Sequence, residues 1–421
     1  MTPEQGMDME LVWGDTAGSG FLDYVTGWYQ KAAAYIKGTK VVVGFVSTNS
    51  ITQGEQVGIL WGALFQKYGV KIHFAHRTFP WESEARGKAH VHVVIIGFAT
   101  CDSPAKRIYD YDAQTGNVTT INAGNISPYL IEGSDVVLPI RRDTICDVPE
   151  IINGNKPADG GHLIIEPEDK DEFLRLNPSA EPYVRRFVSA EEYLNGKDRW
   201  VLWLVDAPPN VLRENSGLKQ RIEAVRDFRL KSQKESTRRR AERPALFDHI
   251  RQPTTPYLLI PRHSSETRRY VPFGYFAPEI IIADSCTAVP NATLYHFGVL
   301  SSEMHLAWMR QVCGRLESRY RYSNKLVYNN YPWPQSVTAK QRSAVETAAQ
   351  AVLDARAKYP TSTLADLYDP LTMPGPLLQA HQDLDRAVDR CYRPEPFPSD
   401  RHRVEYLFAL YEQLTAPLVA A

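Results

Sequence analysis

The strongest constraint on the fold is a set of apolar runs in the first hundred residues. The run over residues 41–46 (VVVGFV) is almost unbroken and predicts a strand buried on both faces of an α/β sheet. Residues 71–79 and 89–99 predict two more strands, and apolar side chains at three- and four-residue steps predict helices over 21–36 and 54–68. The order helix, strand, helix, strand, strand is half of an α/β domain, so we expect further strands upstream.

A change of pattern divides the rest of the chain. Residues 100–130 are rich in turn-forming residues and predict a boundary. Beyond them, short β-like runs alternate with Pro and Gly turns, and the last part has helical periodicity interrupted by Pro-rich turns. We therefore predict an α/β portion over 1–115, an α+β domain over 125–335 and a small helical region over 336–421.

Charge is balanced over the whole chain but not locally. The formal net charge of the 421 residues is -1, so a basic surface can only be local. From Lys219 to Arg243, ten Lys or Arg residues stand against four Asp or Glu residues, which predicts a basic helix. Arg238, Arg239 and Arg240 are candidates for contacts with phosphates, although an ordinary solvated helix face is an equally good interpretation.

Cysteines and apolar stretches indicate the compartment. The five cysteines are odd in number and lack C-x-x-C spacing, so neither a disulfide framework nor a metal site is expected. No apolar run reaches the ~18–20 residues of a membrane span, and the acidic N-terminus is unlike a signal peptide. We expect a cytoplasmic protein without a membrane partner.

Motifs of a self-sufficient enzyme are missing from the sequence. The first hundred residues contain no G-x-G-x-x-G, P-loop or other Gly-rich strand-to-helix turn, and the chain has no G-x-S-x-G elbow. We therefore predict no catalytic residue and no cofactor cradle in this chain.

Long blocks of the sequence resemble one family. The chain closely resembles the MmeI-like family of DNA adenine-N6 methyltransferases, which are often fused restriction–modification enzymes, and the resemblance extends to about residue 335. The blocks that carry it are LDYVTGWYQKAAAYI (22–36), FVSTNSITQGEQVGILWGALF (45–65), FAHRTFPWESEARGKAHVHVVIIGF (74–98), PRHSSETRRYVPFGYF (261–276) and AWMRQVCGRLESRYRYSNKLVYNNYPWP (307–334).

The resemblance implies a fold, a cofactor and partners. It implies a partial, Rossmann-like S-adenosylmethionine methyltransferase half-domain, then a target-recognition domain and C-terminal helices. Family members carry upstream a nuclease region, a cofactor motif and an Asn-Pro-Pro-aromatic catalytic loop. The similar Asn330-Tyr331-Pro332-Trp333 lacks the first proline, and we interpret it as a structural turn.

We therefore expect double-stranded DNA and a missing N-terminal methyltransferase or nuclease portion as partners, in a bacterial or archaeal cytoplasm near the nucleoid. The complete enzyme would use S-adenosylmethionine, which this chain alone is not expected to bind. The alternative is a non-catalytic specificity subunit or a decayed gene fragment.

Two segments are candidates for a pocket that holds a displaced base. By resemblance, Phe79 would stack on the base, with Trp81 beside it. Both residues could equally be core aromatics of a hairpin. Ser47, Thr48 and Asn49 follow the first strand and would border the same pocket. A simple helix N-cap by one of the hydroxyls is compatible with that role.

Glu317 and Arg319 are the clearest candidates for reading a base pair. Two residues apart on an extended chain, they would point the same way. A carboxylate accepts from the cytosine amine, and a guanidinium donates to guanine O6 and N7. The family has its variable specificity pair at this place, which the resemblance carries over to these residues. The alternative is a surface ion pair.

A second group combines hydroxyls and guanidiniums that suit contacts with phosphates or base edges, with solvated surface as the alternative. Its members are Arg262, Ser264, Ser265, Arg268 and Arg269.

Overall fold

The computed structural model describes residues 1–14, 16–81, 91–112 and 115–416, and the chain forms two compact units. The first unit consists of the described residues of Met1–Asp147, Ala307–Pro334 and Glu395–Ala421. The second consists of Val148–Leu306 and Gln335–Pro394. The last part of the predicted α+β domain thus belongs to the same unit as the N-terminal α/β portion.

The helices and strands have the following bounds. The helices are α1 Pro3–Trp13, α2 Thr26–Ile36, α3 Glu55–Tyr68, α4 Lys170–Leu176, α5 Ala190–Asn195, α6 Pro209–Glu214, α7 Ser216–Leu230, α8 Glu235–Arg239, α9 Leu294–Ser301, α10 Glu303–Val312, α11 Ala339–Ala357, α12 Leu364–Leu367, α13 Gly375–Tyr392 and α14 Asp400–Thr415. The strands are β1 Val43–Thr48, β2 Lys71–Trp81, β3 Val91–Ala99, β4 Lys106–Tyr111, β5 Val118–Ala123, β6 Ile152–Asn153, β7 Ile164–Ile165, β8 Val184–Val188, β9 Trp200–Leu202, β10 Tyr257–Pro261, β11 His263–Ser264, β12 Gly274–Phe276, β13 Ile281–Ile282, β14 Cys286–Pro290, β15 Gly314–Leu316 and β16 Arg319–Arg321.

A five-stranded sheet with the order β1–β3–β2–β4–β5 organises the first unit. Strand β3 runs antiparallel to both β1 and β2, β4 runs parallel to β2, and β5 runs antiparallel to β4. One face is covered by helices, since the ring of Tyr29 in α2 contacts those of Phe45, Trp61 and Phe98 at centroid distances of 5.1–5.9 Å. All of these rings except Phe45 are buried.

The expectation that residues 41–46 are buried on both faces is wrong. Val41, Val42 and Val46 are about half exposed. The reason is position, because β1 forms the edge of the sheet in the part of the chain described and pairs there only with β3. Its inward residues are covered by helices, whereas its outward apolar residues have no such cover.

Strands β4 and β5 of this sheet lie within the turn-rich stretch 100–130, where we predicted no strands. Strands β4 and β5 pair over six residues each, around the turn between Asp112 and Gly116. Polar and apolar residues do not alternate regularly along β4 and β5, so the sequence pattern did not predict these strands. Helix α1 was also not predicted, although Thr2 and Gln5 form a capping box at its start.

The second unit contains two four-stranded sheets, with the orders β12–β10–β14–β6 and β13–β8–β9–β7. Each sheet contributes to its own apolar core. The core beside β8 and β9 includes Phe187, Val201, Leu218 and Phe247, and the core beside β10 and β14 includes Tyr257 and Ala288, among others. Helix α11 packs against α9 and α13 in this unit. The unit therefore includes most of the predicted helical region as well as the α+β part.

The basic segment is not one helix. Helix α7 ends at Leu230, and the short helix α8 begins only at Glu235. Arg229, near the end of α7, has a buried guanidinium that donates to backbone oxygens of one segment before α7 and of another after α8. The acceptors are Pro157, Ala158, Arg240, Arg243 and Leu246, at 2.7–3.0 Å. Arg229 was counted among the basic residues available to DNA, but its charge stabilises the fold instead.

In the described part of the chain, no helix combines the length and the apolar character that crossing a membrane requires.

Candidate nucleic-acid interface

The sheet register places two of the predicted base-pocket residues at the same level of the first unit. Thr48 of β1 and Phe79 of β2 both pair with Val93 of the strand between them. Residues paired in this way point to the same face, and two strand spacings separate them by roughly 10 Å. Thr48 is exposed and Phe79 half-buried, so this face is open to a ligand.

Ser47 points to the opposite face. Its buried hydroxyl lies 2.9 Å from the hydroxyl of Tyr29, and burial raises the pKa of that phenol to about 12. Asn49 is half-buried and begins the 3-10 turn that follows β1. Thr48 and Phe79 therefore lie on the same face of the sheet, whereas Ser47 belongs to the core on the face covered by helices.

The predicted stacking residue Phe79 already has an aromatic neighbour. Its ring stacks on Tyr111 at a centroid distance of 4.8 Å, and Trp81 lies 6.4 Å away and is half exposed. Tyr111 in turn lies 2.7 Å from Nδ1 of His76 through its hydroxyl. The residues form a row of rings on the face of the sheet that Thr48 shares, a surface suited to stacking.

Glu317 and Arg319 come together, but not as an extended pair. Strands β15 and β16 form a hairpin in which Leu316 pairs with Arg319, so Glu317 and Ser318 are its two-residue turn. Glu317 has a φ of 58°, in the left-handed region. Its carboxylate still accepts a 2.9 Å hydrogen bond from Nη2 of Arg319, and both side chains are exposed. The assumption of extended geometry was wrong, while the two groups do lie side by side.

A polar cleft of about 550 Å³ lies beside these residues in the first unit. Arginines from four elements or their flanks line it: Arg77, Arg310, Arg315 and Arg401. Two of them pair with aspartates of the same cleft, Arg77 with Asp110 at 2.9 Å and Arg310 with Asp400 at 3.0 Å. Sequence reasoning did not single out this cleft, because its residues come from distant segments that only folding brings together.

The lookalike of the catalytic loop has a structural role. Asn330 is fully buried, its Oδ1 accepts from Nε of Arg141 at 2.9 Å, and its Nδ2 donates to the backbone oxygens of Pro139 and Leu326. An amide used in this way has little capacity left to accept from a substrate amine.

The second group of candidates lies in the second unit and differs in accessibility. Ser264 is buried, and Arg262 donates to the backbone oxygen of Asp284 at 2.9 Å. Ser265 and Arg268 are half-buried. Arg269 is exposed and lies 3.5 Å from the carboxylate of the buried Glu303. The structure thus gives Arg269 the most accessible charge of this group.

Arg238, Arg239 and Arg240 are exposed at α8 of the second unit. Arg238 donates to the backbone oxygens of Ser232 and Gln233, Arg239 pairs with Glu235, and Arg240 lies 3.5 Å from Asp248. Carboxylates therefore offset two of the three charges locally.

The turn from β1 to α3 carries Gly54, whose φ of 72° suits a tight strand-to-helix turn. A Cβ on Gly54 would lie 3.0 Å from Cα of Gly314, so the backbone of the segment that carries Gly314 packs directly against this turn.

Comparison with known proteins gives consistent matches along the chain. Three family models match, described as "MmeI, DNA-methyltransferase domain" over residues 1–110, "MmeI, target recognition domain" over 132–335 and "MmeI, C-terminal domain" over 337–419. The chain is 36% identical over 412 residues to DNA methyltransferase A of Bacillus subtilis (strain 168), covering 98% of this chain and 46% of that protein.

A solved structure of the type IIL restriction-modification enzyme MmeI in complex with DNA matches with 47% identity and a TM-score of 0.90, covering 99% of this chain and 55% of that one. The chain thus spans about half the length of these relatives. The ordered matches to three domain models and the close structural agreement establish that this chain belongs to the MmeI family.

Proposed function

We propose that this chain reads a DNA sequence and holds a target adenine for N6 methylation. The S-adenosylmethionine site and the amine-accepting loop would be supplied by protein outside these 421 residues. The observation that carries the proposal is the exposed Glu317–Arg319 pair on a hairpin turn, in the same compact unit as the methyltransferase-like sheet.

The backbone of Glu317 supports a functional reason for the residue. A two-residue hairpin turn favours Gly, Asn or Asp at positive φ. A Glu in the left-handed region costs about 1 kcal/mol or more relative to Gly. A conformational cost of this kind, at an exposed side chain, is a reason to look for a role outside the fold.

The chemistry of the pair suits one C·G base pair. The carboxylate of Glu317 would accept from the cytosine N4 amine, and the guanidinium of Arg319 would donate to guanine O6 and N7. Separating the two side chains costs little, because an exposed ion pair contributes about 0–1 kcal/mol. DNA can therefore replace the internal partner of each group.

The open face of the sheet suits a displaced base. A base outside the duplex needs an aromatic or apolar surface and a polar edge. Phe79 and Trp81 would supply the first, and the exposed hydroxyl of Thr48 the second. Ser47 would act indirectly, by fixing β1 against Tyr29.

Contacts with phosphates would come from the second unit. Arg269 and the arginines of α8 are its exposed candidates, and each phosphate they neutralise would make binding more dependent on salt. The relative with 47% identity was solved in complex with DNA, which supports DNA as the ligand of this chain.

The edge strand supports a protein partner. The half-exposed Val41, Val42 and Val46 lie at or before β1, whose outer edge has backbone groups available for pairing. A neighbouring strand and its helix would cover these side chains. We infer that the cofactor-binding portion of the enzyme docks at this edge.

The purified chain tests the proposal. It should bind random-sequence duplex DNA at low ionic strength, bind S-adenosylmethionine undetectably by calorimetry, and transfer no methyl group. Joining it to the protein encoded upstream should give methylated adenine in duplex DNA. Tight S-adenosylmethionine binding by the chain alone would overturn the division of labour, and an absence of duplex affinity would overturn the function. DNA binding without methylation by the joined protein would favour the non-catalytic specificity subunit.

A further inference from the structure

Arg315 joins the hairpin turn to the loop that follows β1. Its Nη1 donates to the backbone oxygen of Ser318 at 2.8 Å, and its Nε donates to Oε1 of Gln53 at 3.3 Å. Ser318 is the turn residue next to Glu317, and Gln53 directly follows the 3-10 turn Asn49–Thr52. One guanidinium thus contacts both the base-reading turn and the loop beside the base-pocket candidates.

Backbone contacts hold the same two segments together. The amide of Gly54 donates to the backbone oxygen of Val312 at 3.0 Å. The close approach of Gly54 to Gly314 leaves no room for a side chain on Gly54. A displacement of the loop after β1 would therefore move the start of the hairpin, since no side chain lies between them to absorb it.

The side chain of Arg315 is held in a defined position. Its guanidinium lies 4.0 Å from the ring centroid of Tyr320 on the paired strand, a cation–π distance. The two oxygens that accept its hydrogen bonds, on Gln53 and Ser318, are neutral and do not neutralise its positive charge. A charge held beside the reading turn favours a conformation of the hairpin that faces an anionic ligand.

Gln53 has a donor to spare. It is buried, and its Nε2 has no hydrogen-bond partner among the described residues. Exchanging the amide oxygen and nitrogen would place Nε2 against another donor, Nε of Arg315, so the orientation is settled by Arg315. A buried donor without a partner is unfavourable, and a bound acceptor at the cleft would satisfy it.

We propose that Arg315 and Gln53 are positioning residues that couple base reading at the hairpin to capture of the target base beside β1. The inference rests on the proposed function, namely that Glu317 and Arg319 read a base pair. Because Arg315 holds the backbone of the turn, a correct base pair at Glu317 fixes the loop from Asn49 to Gln53, and a wrong one leaves it free.

The test measures base discrimination with the full chain. Binding-site selection from random duplexes with the native chain first defines a preferred duplex. The same selection with Glu317→Ala identifies the position at which base preference is lost. Affinities for the preferred duplex and for the duplex substituted at that position are then compared for Arg315→Met, Gln53→Leu and the double variant. Arg107→Met, which removes an exposed charge on β4 of the same unit, is the matched control. Melting temperatures verify folding.

Each single variant should lower the discrimination ratio by roughly fivefold, the low end of what one mismatched base pair costs. The double variant should lose little more, because both residues act through one contact. Gln53→Glu, which can still accept from Arg315, should keep the ratio while weakening binding to all duplexes.

Failure of the two proposals can be told apart. If the native chain selects no sequence, the proposed function fails and this inference with it. If it selects a sequence but the ratio is unchanged in Arg315→Met and Gln53→Leu, or falls equally in Arg107→Met, only the coupling is overturned. Additive losses in the double variant would also contradict it.

Discussion

Oε2 of Glu317 lies 2.9 Å from Nη2 of Arg319, with the glutamate in the turn of a hairpin and the arginine at the first position of its second strand. The contact forms although the glutamate backbone has a φ of 58°. A pair of opposite, exposed charges is thus presented at the end of a short hairpin, where each charge could exchange its partner for a base edge as proposed.

Replacing Glu317 should separate stability from function. Glu317→Asn relieves the left-handed strain, so the free energy of unfolding should stay equal or rise by up to about 1 kcal/mol. Base preference at one position should nevertheless disappear, because the acceptor for cytosine is lost. Urea unfolding and binding-site selection measure the two effects. A clear loss of stability would show that the side chain serves the fold.

Exchanging the charges should change the base that is read. In the double variant Glu317→Lys, Arg319→Asp, the lysine donates to guanine and the aspartate accepts from cytosine, so the preferred base pair should be reversed at one position. Binding-site selection checks this. The same exchange in the exposed pair Glu191 and Lys197 is a control that should leave preference unaltered. An unchanged preference in the first variant would remove the pair from the interface.

Removing the guanidinium of Arg229 should destabilise the second unit. Arg229→Met leaves backbone oxygens of five residues without their charged donor in a buried site, which we expect to cost on the order of 3–5 kcal/mol. Arg226→Met, on an exposed position of the same helix, should change stability by less than about 0.5 kcal/mol. Urea midpoints of both variants compare them, and equal effects would contradict a structural role for Arg229.

Stability should fall in acid because of two histidines of the second unit. Burial, assisted by Arg342, lowers the pKa of His296 to about 4, and burial lowers the pKa of His381 well below its usual value. Nδ1 of His296 accepts from the backbone amide of Thr293, a role that only the neutral ring fulfils.

Because the unfolded histidines bind protons near pH 6.5, stability is complete above that pH and declines as the pH falls towards 4, by about 1.4 kcal/mol per pH unit for each ring. His296→Gln keeps an acceptor at the cap and should remove one ring's share of the slope. Unfolding curves between pH 7 and 5 measure the slopes, and identical slopes in the native chain and His296→Gln would refute the assignment.

The arginines of α8 should contribute affinity without specificity. Changing Arg238, Arg239 and Arg240 to Gln should weaken binding to all duplexes by the same factor and reduce the salt slope by up to about 0.9 for each lost phosphate contact. The matched control neutralises three exposed charges elsewhere in the unit, at Arg175, Lys197 and Lys358. Fluorescence titrations at several salt concentrations give both quantities, and a loss confined to one sequence would be inconsistent with phosphate contacts.

The amino-acid sequence determined the local elements with regular apolar spacing, and it determined the family. Helix α3 was expected over residues 54–68 and runs from Glu55 to Tyr68, because its apolar side chains recur at helical steps. Strand β3 and the C-terminal helices were likewise predicted from the spacing of their apolar residues. The long blocks in family order are enough to identify the family without any knowledge of tertiary contacts.

Only the tertiary structure decided which of these elements are covered and which charges are available. An apolar run such as residues 41–46 looks the same in sequence whether its strand lies at the edge or in the middle of a sheet. The exposure of Val46 therefore depends on which elements pack around β1 in the folded chain. Arg229 resembles the other arginines of its helix in sequence, yet it binds carbonyl oxygens of two separate segments, residues 157–158 and 240–246. Arg315 and Gln53 are 262 positions apart, and no local pattern joins residues whose contact is made by folding.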